Sequence, residues 1–460
     1  MTDSLAEASY VGDLGNGLVR RWSTQAGDAA EVGYLMATVF RDKEDAELRP
    51  SEIDAARIFL SGNFPFAGPG DFAVIEDTTR SEHRIVACTC YFRHEWSYAG
   101  IRFGVGRPEE VATHPEYRNR GLVRALFEMV HARSAANGDM AQAITGIEYF
   151  YRQFGYEYVL DLGGFRTVQL TAIPSLKDGE SEPFTLRAAT VADVPLLETL
   201  YNRRRQNSLV WHEAPTRFWE FLITSWDDPA VAGKDVLHVG LKRRAHIVIN
   251  DEGTPCGYVL VDSRRWSKSF YVPEIDLTTQ VNWQEAIPSV LRALKQIGEA
   301  TPAMEDAVCS ELRLGFGRTH PAYDILGNLA PRYEPPYTWY LRVPDVLGFI
   351  QLIKPVLEER IEQSVVAGLT GELKIDFYRG GMRLQFEKGK ITTIEPWRTP
   401  AFGHHADVAC TALIFLQLLF GYRSLAELRE IFPDVWAKDS AAVQLAVLFP
   451  KQPSKVDSLV

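Results

Sequence analysis

Stretches where apolar and polar residues alternate give way along this chain to stretches with apolar residues three and four apart. "GLVRRW" (17–22) predicts a strand, and helical spacing then carries Tyr34, Leu35, Thr38, Val39 and Phe40, with Asp28 and Glu31 placed to cap the helix start. "FAVIE" (72–76) and "RIVACTCYF" (84–92) are rich in β-branched and aromatic residues and predict two strands. "IRFGVGRPEEVAT" (101–113) is extended, but Pro108 cannot donate to a sheet ladder and predicts an irregularity there. Leu122, Val123, Leu126, Met129 and Val130 share one helical face, which Asn137-Gly138 stops. "MAQAIT" (140–145), "YFYRQF" (149–154) and "GYEYV" (155–159) predict a strand, a short helix and a further strand.

That order predicts a mixed α/β (α+β) domain over residues 1–172, followed by the polar linker "IPSLKDGESEP" (173–183). A second α/β unit is expected over 184–343, its first helix capped through Thr190 and Asp193. A third, over 344–460, has a strand pair turning at Gly380-Gly381, helices around 408–420 and 424–431, and a capping box from Ser424 and Glu427. One echo links the first two units. "EEVATHPEYRNRGLVRAL" (109–126) and "PEIDLTTQVNWQEAIPSVLRAL" (273–294) both run from a strand into a helix ending Arg-Ala-Leu, and only the first keeps Arg-x-x-Gly. Duplication with loss of one site is the economical reading.

Length and charge narrow the picture. A chain of 460 residues implies about three domains. A net charge of −11 disfavours non-specific nucleic-acid binding and weakly favours cationic substrates such as amines. The most apolar run, "VACTALIFLQLLF" (408–420), is shorter than the about 20 residues a bilayer span needs, so a buried helix is expected and no membrane partner. "MTDSLAEASYVGDLGNG" has neither a basic start nor an apolar core, so no signal peptide is expected and a cytoplasmic location is. The cysteines at 88, 90, 256, 309 and 410 lack zinc-site spacing, and His404-His405 with Asp407 reads as a polar loop, so no metal is expected.

The candidate chemistry lies in "THPEYRNRGLVRALF" (113–127), where Arg118, Arg120 and Arg124 surround Gly121 at a strand-to-helix junction. A helix start leaves amide N–H groups without partners and carries partial positive charge. Glycine lets an anion approach the backbone, and arginines add charge-assisted hydrogen bonds. These features describe a diphosphate cradle. No Gly-Lys-Ser/Thr follows, and GxGxxG is absent, so it is neither a Walker loop nor a dinucleotide fingerprint.

Arg118-Asn119-Arg120-Gly121-Leu122-Val123 resembles the Arg/Gln-x-x-Gly-x-Gly/Ala loop of the GNAT acetyltransferases, with Val123 departing at the last position. "EEVATHPEYRNRG" and "YFYRQFGYEY" resemble that family's splayed strand and closing helix and strand. The whole chain resembles the Eis (enhanced intracellular survival) acetyltransferases, in which a bulky residue at the last loop position is common. The resemblance implies an active GNAT domain, a degenerate GNAT-like domain and a sterol-carrier-protein-like domain. It further implies acetyl-CoA as co-substrate, a primary amine acceptor (polyamine, aminoglycoside or lysine-like), and a homohexamer of paired trimers.

By the same resemblance, Val111, Ala112 and Thr113 pair with the pantetheine arm. Asn119, Arg120, Gly121, Leu122, Val123 and Arg124, with Arg118, hold the pyrophosphate, and Gly146 and Ile147 lie further along the cofactor. Tyr151 matches the general acid of the Eis group, although Tyr149, Phe150, Phe154 and Tyr156 crowd it and packing alone is the other account. The terminal carboxylate, here on Val460, matches the general base, with Glu110 or Glu109 as rivals. Asp42 matches an acidic residue of the substrate pocket, while its charge-rich surroundings also suit a solvated face. The alternative function is a catalytically inert scaffold or a carrier of apolar ligands, although Leu413, Phe415, Leu416 and Leu419 suit a filled core.

Overall fold

The computed structural model describes residues 11–43, 46–402 and 405–457. The first region comprises β1 (Gly12–Gly15), β2 (Leu18–Trp22), α1 (Asp28–Val39), α2 (Pro50–Phe59), β3 (Phe72–Asp77), β4 (Ile85–Tyr98), β5 (Ile101–Thr113), α3 (Leu122–Ala136), β6 (Ala141–Ile144), β7 (Glu157–Leu162) and β8 (Phe165–Gln169). The elements expected there are present; β1 and α2 are additional.

The second region comprises β9 (Phe184–Ala188), α4 (Val194–Arg203), β10 (Val210–His212), α5 (Thr216–Thr224), β11 (Arg243–Asn250), β12 (Pro255–Asp262), β13 (Ser269–Val272), β14 (Glu274–Leu277), α6 (Trp283–Ala300), β15 (Glu311–Leu314), α7 (Pro321–Leu326), β16 (Arg332–Glu334) and β17 (Tyr337–Arg342). The third has α8 (Val346–Glu362), strands β18 (Gly371–Asp376), β19 (Gly381–Glu387) and β20 (Lys390–Pro396), and the buried helix α9 (Ala412–Leu419). The class is mixed α/β, as the patterning implied. No helix among the described residues is long and apolar enough to cross a membrane.

Sheet pairing does not follow chain order. The large sheet runs β1-β2-β3-β4-β5-β6-β17-β7, so β17 lies between two strands that precede it by well over a hundred residues. In return β8 leaves the first region and pairs with β15 and β16. β10 adds to the outer part of β4. A strand can be lent this way because edge N–H and C=O groups pair with any strand of suitable register.

The third region packs directly on this sheet. Trp96, Tyr98 and Phe103 share a buried cluster with Phe349, Phe415 and Phe420, and the Tyr98 hydroxyl donates to the Leu419 carbonyl at 2.9 Å. Full burial of each such side chain stabilises by about 1.5–3 kcal/mol. Phe415, Leu416 and Leu419 are buried in that cluster and Leu413 packs against it, as a filled core requires.

The expected capping boxes at Thr190/Asp193 and Ser424/Glu427 form. The one expected at Asp28/Glu31 does not. Gly27, at φ 96°, occupies the cap position, and Asp28 instead accepts twice from the Arg21 guanidinium at 2.8 Å. For a buried carboxylate a bidentate ion pair outweighs a single amide. Glu31 turns to the amide of Ile85. In the second region the strand-to-helix echo is real, β14 leading to α6, but Asn282 caps that helix through the amide of Gln284.

Candidate active site

β5 and β6 run parallel but pair only at Val105 with Ala141 and Gly106 with Gln142. Beyond Gly106 they splay apart. On its other side β5 stays paired to β4 until the register slips: Cys90 faces Glu109, whereas Cys88 faces Ala112. Glu110 and Val111 thus stand opposite Thr89 alone in a β-bulge, just past the predicted irregularity at Pro108, and Glu110 takes φ 52°. That left-handed conformation costs an L-residue about 1–2 kcal/mol. Glu109 bridges the splay, accepting from Arg107 Nε at 2.9 Å and from the amide and hydroxyl of Thr145 at 3.2 Å each.

Past the bulge, β5 passes through a short turn at Pro115–Tyr117 to the start of α3. Asn119 (φ 62°) and Gly121 (φ 77°) bend the chain, and a Cβ on Gly121 would meet nothing within 4 Å, so the backbone there borders open space. This space is a cleft of about 670 Å³ lined by Val111, Thr113, Arg118, Asn119, Gly121, Leu122, Val123, Arg124 and Ile147 among others. Three residues expected to face a cofactor do not line it: Gly146, which lies instead beside the Tyr151 hydroxyl, Ala112 and Arg120. Ala112 is fully buried and points into the core, the consequence of strand alternation. Arg120 donates to the Glu116 carbonyl at 2.8 Å and lies 4.8 Å from the Tyr117 ring centre. Arg124 reaches the opposite wall, bonded to Gln153 at 3.3 Å and lying over Phe154.

Tyr151 stacks on Phe127 with ring centres 5.8 Å apart and meets Tyr340 edge-on. Its hydroxyl has no hydrogen-bond partner among the described residues and lies 3.9 Å from where a Cβ on Gly146 would sit. Burial, with Glu109 and Tyr337 nearby, holds the phenol above its ordinary pKa. It therefore stays protonated at neutral pH, the state a proton donor needs. Glu109, Glu110, Arg107, Thr145 and Lys242 line a second, smaller cavity of about 170 Å³. Burial raises the Glu110 carboxyl to about 7, opposed by Lys242 and reinforced by Glu52 and Glu109.

A strand that splays from its parallel neighbour, bulges, and feeds an arginine-flanked helix start is the arrangement for holding a pantetheine arm and diphosphate. The family model of the acetyltransferase (GNAT) domain matches residues 23–159, the segment that contains every one of these features. The chain carries a GNAT acetyltransferase domain. It is thereby an acyltransferase, and GNAT acetyltransferases use acetyl-CoA. No curated protein matches the sequence.

Solved structures match the fold over nearly the whole chain. A GCN5-related N-acetyltransferase from Anabaena variabilis is 13% identical with a TM-score of 0.61, covering 95% of this chain and 99% of its own. One from Kribbella flavida is 17% identical with a TM-score of 0.61, over 96% and 98%. Eis1 from Mycobacterium abscessus is 14% identical with a TM-score of 0.55, over 94% and 98%. At these identities the likeness is one of fold, and it extends well beyond the GNAT domain.

Other expected site residues lie elsewhere. Asp42, three residues past the end of α1, is exposed, ion-paired to Arg49 and lines neither cavity of the GNAT domain. Val460 lies outside the described residues, as does His404. Among the described residues no cluster of metal-ligating side chains occurs.

The sequence reading missed β17. Tyr337 donates to the Gly146 carbonyl at 2.9 Å and Tyr340 to that of Ile147 at 3.2 Å, pinning the loop beside Tyr151. Trp339, on the opposite face, stacks beneath Arg107. The aromatic density of "YTWY" (337–340) was the available signal, but nothing local tied it to a site almost two hundred residues earlier.

Proposed function

We propose that this chain transfers the acetyl group of acetyl-CoA directly to a primary amine, with a polyamine, an aminoglycoside or a lysine-like compound as acceptor. The observation that carries this reading is the juxtaposition of the splayed edge of β5, the arginine-flanked start of α3 and a protonated Tyr151 whose hydroxyl has no partner among the described residues. The edge of β5 from Val111 to Thr113, paired to β4 on one side and splayed from β6 on the other, takes the pantetheine amides as an added strand would. Arg118, Arg124 and the first amides of α3 hold the diphosphate.

The amine nitrogen attacks the thioester carbonyl carbon and the C–S bond breaks. Tyr151 protonates the departing thiolate, and the proton released by the amine passes to a carboxylate. Two carboxylates compete for that role. Glu110 lines the small cavity with a basicity suited to neutral pH. The Val460 carboxylate is favoured by the course of the tail: Val456 is bonded to Trp339, whose ring lies 4.9 Å from Arg107, the partner of Glu109. Four extended residues reach about 14 Å.

The second unit, a GNAT-like fold without the cradle, and a sterol-carrier-protein-like third unit serve in this reading as scaffold. A cytoplasmic homohexamer completes the proposal. Calorimetry with coenzyme A and thiol release from acetyl-CoA with an amine panel test it. Tyr151→Phe is expected to lower turnover about a hundredfold while coenzyme A still binds. A folded protein that gives no heat with coenzyme A is the scaffold or carrier instead. Residues appended after Val460 abolish turnover if the tail carboxylate is the acceptor and spare it if Glu110 is.

A further inference from the structure

The small cavity at Glu110 and a larger one are lined by consecutive stretches of chain. Leu162, at the end of β7, lines the first, and Gly163, Gly164 and Phe165 line a cavity of about 590 Å³. Lys242, just before β11, lines the small cavity, and Arg243 beside it pairs with Asp262 on the wall of the large one. Glu52 interacts electrostatically with both Glu110 and Arg264, one lining residue of each cavity.

The large cavity has the wrong sign for a polycation. Arg264, Arg265, Lys268 and Arg313 line it, and Asp262 is its one acidic lining residue among those described. Asp262 is already taken by Arg243. Behind the wall, Glu311 is 1% exposed and shared between Lys268 and Arg313 at 3.4 Å each. Arg264 and Arg265 have no carboxylate within ion-pair distance among the described residues. Arg264 is held by the carbonyls of Val239 (2.6 Å) and Leu241 (3.2 Å), and Arg265 by those of Thr301 and Ala307 (3.0 Å each).

Carbonyls fix a guanidinium in place without cancelling its charge. Four cations thus line one concavity with one carboxylate, while Glu311, Glu52 and Glu305 stand behind or beside its walls, and low-dielectric walls concentrate the field of the excess. Trp266, exposed at 51%, and Tyr271 add apolar walls for a stem. The acidic residue expected to attract a cationic acceptor, Asp42, is neutralised by Arg49, which lies 5.1 Å from the Trp266 ring centre. Balanced charge at Glu110 followed by excess positive charge further out describes a molecule with an amine at one end and an anion at the other.

We infer that the acceptor is an amine carrying a carboxylate or phosphate at its far end, which docks against Arg264, Lys268 and Arg313 while the amine lies at Glu110. This rests on the acetyltransferase reading and narrows it, away from polyamines and aminoglycosides and towards amino acids, acidic peptides or amino phosphates.

A matched series tests it: ω-amino carboxylates, ω-amino phosphates, alkylamines and diamines of equal chain length, over several lengths, followed by thiol release from acetyl-CoA. The expected result is a kcat/KM for an anionic member about tenfold or more above its alkylamine, with the diamine lowest. The carboxylate and phosphate arms identify the anion. The preference shrinks as ionic strength rises from about 0.02 to 0.5 M. It also falls in Lys268→Gln and in Arg313→Gln taken singly, two partly exposed positions where each substitution leaves Glu311 its other cation.

A diamine preference, or a ratio unmoved by salt and by these substitutions, overturns the inference. If no member reacts, calorimetry on the coenzyme-A-saturated protein decides: heat with the anionic amines alone supports it, and heat with neither or with diamines overturns it. Failure of coenzyme A itself to bind marks failure of the acetyltransferase reading.

Discussion

The indole Nε1 of Trp339 donates to the carbonyl of Val456 at 2.9 Å, and both residues are buried. One side chain thus ties the end of the described chain to the sheet that carries Arg107 and Glu109. Trp339→Phe keeps an aromatic ring but leaves a buried carbonyl without its donor, which costs about 1–3 kcal/mol. The denaturant midpoint is expected to fall with an unchanged slope. Turnover is expected to fall further than coenzyme A affinity if the tail carries the proton acceptor, because the loosened segment then leads to the reacting group. Equal losses in both would place the effect on global stability alone.

Gly146 lies at φ 110°, and a Cβ there would sit 3.9 Å from the Tyr151 hydroxyl. Gly146→Ala is strained by about 1–3 kcal/mol and sets a methyl group beside the proposed proton donor. Turnover is expected to drop roughly tenfold through misplacement of the reacting atoms. Coenzyme A affinity should change little, since the start of α3 is untouched. Calorimetry and single-turnover thiol release separate the two quantities.

Arg118 lines the cleft, whereas Arg120 is bonded to the Glu116 carbonyl and rests on Tyr117. The two arginines are therefore unequal. Arg118→Ala is expected to weaken coenzyme A by about tenfold, the worth of a charge-assisted hydrogen bond to a phosphate. Arg120→Ala is expected to weaken it no more than about threefold, through the field alone. Dissociation constants in the reverse order would show that Arg120 leaves Tyr117 for the ligand.

Much of this site is contiguous in sequence, and to that extent it is readable there. Pro108 pointed to an irregularity that falls two residues later, at Glu110 and Val111. The arginine-flanked turn and the amphipathic face of α3 occupy residues 115 to 136, and each follows from local sterics or periodicity. The wall supplied by β17 does not. Which strand fills the gap between β6 and β7 depends on edges meeting in three dimensions, and its alternation looks the same in any sheet. Asp28 shows the same limit on a smaller scale. Its spacing to Glu31 satisfied a capping rule, but Arg21 and Glu76, brought together by the pairing of β2 with β3, claimed the local charge. The sign of the acceptor cavity was equally invisible: Arg264, Lys268 and Arg313 converge only when β13 and β15 pair.

Glu110 turns the bulge of β5 into a pH-dependent element. Burial lifts its carboxyl from the ordinary 4.5 to about 7. A carboxyl raised on folding binds its proton more tightly in the native state than in the unfolded chain. Its stabilising contribution is therefore complete below about 4.5 and is lost as pH rises through about 7. Glu110→Gln keeps the shape and cannot ionise. The thermal midpoint of the variant relative to wild type is expected to climb between about pH 5 and pH 8, with the variant the more stable above neutrality. If Glu110 accepts the amine proton, wild-type turnover rises over the same interval and the variant loses that rise. A midpoint difference that stays flat would mean that Lys242 and Arg107 compensate the ionised form. A turnover profile unchanged by the substitution would transfer the proton to Val460.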